Sequence, residues 1–260
     1  MKSTIYYFSA TGNSLYVAKA ISEKNGASLV AMPVAVHEKI VVDEGESVGF
    51  VFPLHYFGLP PMVSEFINKL DIKSSQYTYA VVTCGFEYIS SALYQLRKLL
   101  HQKGVELNAG FHLQMISSYI PLSDIPKEEK QQQIFCKADK KMEKVIECIL
   151  AKKHKIEAEY CWLPSLLTNN YWRKKLLPNS NRKFYLSSTC ISCRICEKVC
   201  PVGNVCLVDD KPNWNNNCQE CLACLHFCPK QCIEYGNKTD GRKRYHHPKI
   251  TTQAIILGEK

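Results

Sequence analysis

Ten of the fourteen cysteines lie between Cys190 and Cys232. Residues 190–201 read C-I-S-C-R-I-C-E-K-V-C-P, and residues 218–229 read C-Q-E-C-L-A-C-L-H-F-C-P. Both follow C-x2-C-x2-C-x3-C-P, repeated at an offset of 28 residues. Structural zinc takes four ligands per ion and has no need of three cysteines in one C-x2-C-x2-C loop. Three thiolates on so tight a loop suit three irons of a four-iron cube, whose fourth iron needs a ligand from elsewhere. The spacing therefore predicts two [4Fe–4S] clusters on Cys190, Cys193, Cys196, Cys200, Cys218, Cys221, Cys224 and Cys228. Pro201 and Pro229 turn the chain away after each fourth cysteine. Cys206 and Cys232 fall outside the pattern and read as packing residues.

A second group of candidates lies near the N-terminus. Ser9, Ala10, Thr11, Gly12, Asn13 and Ser14 form a turn between an apolar strand and a helix. Hydroxyls of Ser9, Thr11 and Ser14, backbone N–H groups around Gly12 and the positive helix end would together suit a phosphate. No lysine is present, which favours a phosphomonoester over a nucleoside triphosphate. The Gly-Lys pair of a P-loop is absent. An empty capped helix start has the same appearance.

The elements that must position these residues alternate. Strands are predicted at Thr4–Phe8, Ser28–Met32, Ser47–Phe52, Tyr79–Cys84 and Gly110–Ser118. Helices are predicted at Asn13 to about Ser22, Pro61 to about Leu70, Ser90–Lys103 and Pro126–Lys153. Such alternation implies an α/β fold, a doubly wound five-stranded parallel sheet covered on both faces. Ligands of such sheets bind at the carboxyl ends of the strands. Residues 1–153 are expected to form this domain, 154–183 a helical junction, and 184–260 a small α+β cluster domain with a C-terminal extension.

Composition narrows the class. Apolar residues make up 46% of the 260-residue chain, enough for a sizeable core. No apolar run approaches the length needed to span a bilayer, and the N-terminus lacks the features of a signal peptide. The expected location is the cytoplasm, where clustered cysteines mean metal more often than disulfides. Net charge is +9, with 15 basic and 9 acidic groups in residues 101–189. That surface could steer an acidic redox partner, although a solvated face is the plainer reading. No nucleic-acid reading motif accompanies it.

The cysteine runs resemble those of bacterial two-cluster ferredoxins. That resemblance assigns Cys190, Cys193, Cys196 and Cys228 to one cluster, and Cys218, Cys221, Cys224 and Cys200 to the other. The stretch Y-Y-F-S-A-T-G-N-S resembles the FMN phosphate loop of flavodoxins, and Thr83, Cys84, Gly85, Phe86, Glu87 and Tyr88 resemble the loop bordering the flavin ring. The family's usual acid after the glycine is Phe86 here, with Glu87 one place later. Pro53, Leu54, His55, Tyr56, Phe57 and Gly58 sit where the other ring-contacting loop belongs, and Tyr56, Phe57 or Tyr88 could stack on the ring. Ordinary core packing would account for such aromatics equally well.

The whole chain resembles the EFR-family ferredoxins, fusions of a flavodoxin-like domain (strand order 2-1-3-4-5) with a two-cluster domain. N-R-K-F-Y before the first run and G-R-K-R-Y-H-H-P-K-I at 241–250 belong to that match. It implies an electron-transfer flavoprotein carrying FMN and two [4Fe–4S] clusters, and it names no substrate or catalytic residue. Three classes follow: a carrier docking to a larger oxidoreductase, a flavin-dependent reductase of a quinone or other small acceptor, or a binding protein whose clusters brace the fold. His55 and Cys84 are the candidate proton donors of the reductase reading. A structural loop histidine and an inert strand-end thiol are the simpler expectations for them.

Overall fold

The computed structural model describes residues 3–38, 41–72, 76–87 and 89–257. Strands β1 (Ser3–Tyr7), β2 (Ser28–Ala31), β4 (Ser47–Pro53), β6 (Tyr77–Cys84), β7 (Ala109–Gln114) and β8 (Lys155–Ile156) form one sheet in the order β2-β1-β4-β6-β7-β8. Every pairing in it is parallel. A short parallel pair, β3 (Val41–Asp43) with β5 (Leu70–Ile72), lies outside it. The five long strands have the expected order. The two-residue β8 adds a sixth at the edge, which periodicity over so short a segment does not reveal.

Both faces of the sheet are covered, which explains the continuous apolar runs of its strands. Ile5, Tyr7, Val81, Phe111 and Leu113 face α1 (Asn13–Asn25) and α5 (Glu128–Leu150) in one core. Their neighbours Tyr6, Phe8, Phe50, Phe52, Ala80 and Val82 face the other way. There they meet residues of α2 (Met32–Ala35), α3 (Pro61–Lys69) and α4 (Ala92–His101). The alternation is the two-residue period of a strand written into its packing. The fold is flavodoxin-like, a parallel α/β sheet with a small additional unit at its C-terminal side.

The strand expected over Gly110–Ser118 ends at Gln114. Residues 115–125 leave the sheet, and Ile116, Ile120 and Ile125 pack into a core shared with Leu222, Leu225, Ile233 and Tyr245. Between the two parts run α6 (Trp162–Tyr171), a π turn at Trp172–Leu176 and a 3-10 turn at Leu177–Lys183. Trp172, 1% exposed, anchors this junction.

The C-terminal unit comprises β9 (Phe184–Leu186), α7 (Ile195–Lys198), β10 (Val205–Val208), β11 (Lys211–Trp214), α8 (Ala223–His226), β12 (Ile233–Tyr235) and α9 (Thr252–Leu257). Its sheets are two antiparallel pairs, β10–β11 and β9–β12. Among the described residues no helix is long and apolar enough to cross a membrane.

Candidate functional site

A cavity of about 210 Å³ opens at the carboxyl ends of β1, β4, β6 and β7. Its position is the one expected of an open parallel sheet. The turn after β1 supplies Ser9, Ala10, Thr11, Asn13 and Ser14 to its wall. Gly12 starts α1 with φ +96, a left-handed conformation that glycine adopts without penalty. Ser14 Oγ lies 2.8 Å from Thr83 Oγ1, and Thr11 Oγ1 donates to Ser118 Oγ at 3.2 Å. Asn13 Nδ2 donates to the Ile116 carbonyl at 2.9 Å. The Ser9 hydroxyl is buried with no hydrogen-bond partner among the described residues. A phosphate oxygen beside this helix N-terminus would accept a hydrogen bond from that hydroxyl, so the residues fit a phosphate.

The turn after β4 contributes Pro53, Leu54, His55, Tyr56 and Phe57. Tyr56 and Phe57 hold positive φ values of 42 and 63, unusual for bulky side chains. His55 pairs with Gly58 through both backbone groups. Burial lowers the His55 imidazole to about 4, with Arg173 adding to the effect, so it is neutral at pH 7 and has no proton to donate as an imidazolium. The Tyr56 ring stacks on Trp172 at 4.7 Å and 9°. Its face on that side is therefore taken by protein.

The turn after β6 contributes Thr83, Cys84, Gly85 and Phe86. Burial pushes the Cys84 thiol up to about 12, and Glu87 adds to the rise. Cys84 is thus a neutral, unreactive thiol. Phe86 is 67% exposed and stands at the mouth with Ile89 and Leu122. Gly12 and Gly58 are not on the wall. Gly12 instead lies under His247 and Ile250, and Gly58 under Asn169. Tyr88 lies outside the described residues.

Several wall residues were not expected from sequence. Met115, Ile116, Ser117, Ser118, Tyr119 and Leu122 come from the segment after β7. The rule placing ligands at strand ends pointed there, but a strand drawn to Ser118 concealed it. Trp172, Glu220 and Cys221 also reach the wall, from the junction and the second cysteine run. Glu220 is 3% exposed and accepts hydrogen bonds from Tyr119 Oη, Tyr235 Oη and Trp172 Nε1 at 2.7, 2.6 and 2.6 Å. The only sequence signal was an acid inside a cysteine run.

The 241–250 stretch straps the site from outside. The His247 N–H donates to the Thr11 carbonyl at 2.8 Å, and Tyr245 Oη donates to Asn13 Oδ1 at 2.6 Å. The Tyr245 N–H donates to His226 Nδ1. His226 Nε2 therefore carries the ring proton and donates it to the Ser118 carbonyl at 2.7 Å. The His247 ring stacks on Tyr16 of α1 at 4.1 Å.

The eight motif thiols gather into two pockets. Cys190, Cys193, Cys196 and Cys228 line one. Cys200, Cys218, Cys221 and Cys224 line the other. Each pocket thus takes three thiols from one run and the fourth from the other. Burial, with neighbouring thiols contributing, pushes Cys196 up to about 11; burial and the charge of Cys200 also raise Cys221. Metal binding would take the proton's place on Cys196 and Cys221 and make them thiolates. Among the described residues no group of three or more His, Cys, Asp or Glu converges on a single-ion centre. A cube spreads its four ligands over four irons and requires no such convergence. The residues fit clusters better than mononuclear zinc. Cys232 Sγ lies 3.3 Å from Cys228 Sγ and lines the first pocket. Cys206 is half-exposed at the end of an Asn215 hydrogen bond rather than buried.

A family model described as a flavodoxin domain matches residues 4–114. A ferredoxin-like protein in the nif region of Trichormus variabilis is 35% identical over 51 residues, 19% of this chain and 43% of the relative. The counterpart from Trichormus azollae matches equally. The chain thus spans less than half the length of these curated relatives. Among solved structures, an FMN-dependent NADH-azoreductase from Bacillus anthracis in complex with FMN shares 11% identity at a TM-score of 0.38, over 56% of this chain and 100% of that one. A flavodoxin from the domain Archaea shares 15% at 0.34, over 56% and 99%.

Proposed function

We propose that the chain is an EFR-type electron-transfer flavoprotein that holds FMN in the strand-end cavity and two [4Fe–4S] clusters on the eight motif thiols. Its parts on this reading are an FMN domain at 1–153, a helical junction at 154–183 and a cluster domain at 184–260. The observation that carries the proposal is Cys221. It lines both the cavity and the pocket of the second thiol set. One residue therefore belongs to both cofactor sites. Bound clusters would exchange electrons singly and a bound flavin could hold one or two, so adjacency lets the chain couple the two kinds of step.

The chain's own residues supply position and insulation. Ser9, Thr11 and Ser14, with the α1 N-terminus, would hold the phosphate. Thr83–Phe86 and Pro53–Phe57 would flank the ring. Cys190, Cys193, Cys196 and Cys228 would hold one cluster, and Cys218, Cys221, Cys224 and Cys200 the other. The Gly12 backbone and the 241–250 strap keep the phosphate loop closed. His55 and Cys84 both line the cavity but stay neutral: His55 carries no imidazolium proton, and the Cys84 thiol is too weakly acidic to release its own.

A second reading has its own support. Phe86, Ile89 and Leu122 are 67%, 43% and 74% exposed at the cavity mouth. An open apolar rim suits a small planar acceptor such as a quinone. The carrier reading keeps priority because it needs no proton donor from the chain.

Anaerobically purified protein should release FMN on acid treatment and carry both clusters. Stoichiometric reduction of the clusters should then reduce bound flavin. Protein that is not yellow, and does not become so with added FMN, defeats the flavin assignment. Flavin that stays oxidised beside reduced clusters defeats the coupling. Turnover of a soluble quinone by the loaded protein would move the assignment to the reductase.

A further inference from the structure

We propose that Glu220 is a positioning residue, a fixed buried anion that clamps the second cysteine loop onto the flavin cavity and makes electrons harder to add on both sides of that contact. The proposal rests on the cofactor reading above. Glu220 gives up neither electron nor proton in this role.

The first observation is the clamp. The Glu220 side chain is fully enclosed, and its nearest cation, Lys183 Nζ at 3.8 Å, is itself 42% exposed. Its donors come from four separate segments. They are Tyr119 after β7, Tyr235 of β12, Trp172 of the junction and, at 3.4 Å, Tyr56 after β4. Burial first, and the Glu220 charge next, raise the Tyr119 and Tyr235 phenols. Both therefore remain O–H donors. An enclosed carboxylate is costly unless so satisfied, and here it is satisfied by groups that fix its place.

The second observation comes from the repeat. Ser192 holds the equivalent place in the first run, C-I-S-C against C-Q-E-C. The two residues share a left-handed backbone, φ 56 and φ 53. Ser192 Oγ merely donates to the Asp210 carbonyl. Cluster ligation by this loop therefore does not require an acid. The acid occurs only in the run whose next residue, Cys221, reaches the cavity wall.

Position gives the consequence. Glu220 stands on that wall beside Cys221. A negative charge in a poorly solvated site opposes the arrival of another. The reduced flavin and the reduced second cluster should each be disfavoured by it.

Two variants test this with opposite signs. Glu220→Gln keeps the shape and removes the charge. It should favour fully reduced over oxidised FMN by roughly tenfold, or about 30 mV for the two-electron couple. Tyr235→Phe removes one donor to the carboxylate, away from the cavity wall. It should move the same ratio severalfold the other way. Loosened packing would weaken both redox forms together and leave the ratio unchanged. Variants that hold FMN and both clusters with a ratio within twofold of wild type overturn the proposal. If Glu220→Gln fails to load clusters, Tyr235→Phe decides alone by the same criterion. Protein that loads clusters but takes no flavin defeats the cofactor reading instead, and Glu220 is then judged by the second cluster's potential under the same substitutions.

Discussion

Gly12 and Gly26 bracket the same helix and make a controlled pair. Gly12 precedes α1 with φ +96, and Gly26 follows it with φ +68. A Cβ at either position meets the left-handed penalty of about 1–2 kcal/mol. Their surroundings differ. A Cβ on Gly26 would meet nothing within 4 Å. A Cβ on Gly12 would sit 3.0 Å from the Cβ atoms of both His247 and Ile250. Neither neighbour yields easily, because His247 is tied by its backbone to Thr11 and Ile250 to His247. Overpacking of this kind costs about 1–3 kcal/mol.

Gly12→Ala should therefore cost roughly 2–5 kcal/mol in total, against about 1–2 for Gly26→Ala. The first cost falls on the loop proposed to hold the phosphate and on the strap that covers it. Wherever the loop relaxes to escape the clash, FMN binding must restore it. A restoring cost of only about 1.4 kcal/mol weakens affinity tenfold. Fluorescence titration of FMN into cluster-loaded, flavin-free protein gives the readout. Gly12→Ala should bind at least tenfold more weakly, and Gly26→Ala within twofold of wild type. Equal affinity in Gly12→Ala, or equal weakening in both, would refute the reasoning.

The proposed crosswise ligation predicts paired losses. Cys228→Ala should impair the cluster on the Cys190 loop and spare the other, and Cys200→Ala should do the reverse; iron analysis and EPR of the reduced proteins distinguish them. The strap should loosen in acid. Burial holds His247 at about 4 against 6.5 unfolded, with Lys249 adding to the effect. The unfolded form binds the proton first, so this contribution to stability is complete above pH 6.5 and is lost as pH falls towards 4. Proteolysis at 241–250 should accelerate over that window, and His247→Asn should remove that part of the pH dependence. A wild-type rate that is flat from pH 7 to 4.5 would contradict it.

The cysteine runs were legible because ligand spacing is local, and no tertiary fact is needed to read C-x2-C-x2-C. The alternating fold was legible for a similar reason, since each strand and helix carries its own period. What escaped was contributed across the chain. Trp172 looked like one aromatic in a basic junction, and only packing reveals that it bonds Glu220 and stacks on Tyr56. Ser118 looked like a strand end, yet Thr11 and His226 both bond to it from distant segments. The G-R-K-R-Y-H-H-P-K-I stretch stood out in sequence as part of a resemblance. Tyr245 and the His247 backbone tie it to the phosphate loop, and Arg242 and Arg244 tie it to Asp124 and Glu234. His55 was singled out by type and loop, but burial at its position removes the proton that made it interesting. Tyr88 lies outside the described residues.

The two cysteine runs are nearly the same chemistry in different surroundings, and the difference bears on direction. Cys193 is exposed, and Ile191 beside it is 56% exposed. None of the second set, Cys200, Cys218, Cys221 and Cys224, is exposed, and Cys221 faces the cavity. On the proposed reading the first cluster is the port to a partner and the second is the link to flavin. The repeat alone could not impose that order, because C-x2-C-x2-C-x3-C-P is symmetric between its copies. Docking imposes it. Leu222 and Leu225 of the second run pack with Ile116, Ile120 and Ile125, while Ile191 and Cys193 of the first run stay exposed. The acid of C-Q-E-C then stands at the inner contact, and the serine of C-I-S-C stands in the outer loop. On the proposed reading, a partner's orientation and the site's internal electrostatics would both follow from one asymmetry of packing.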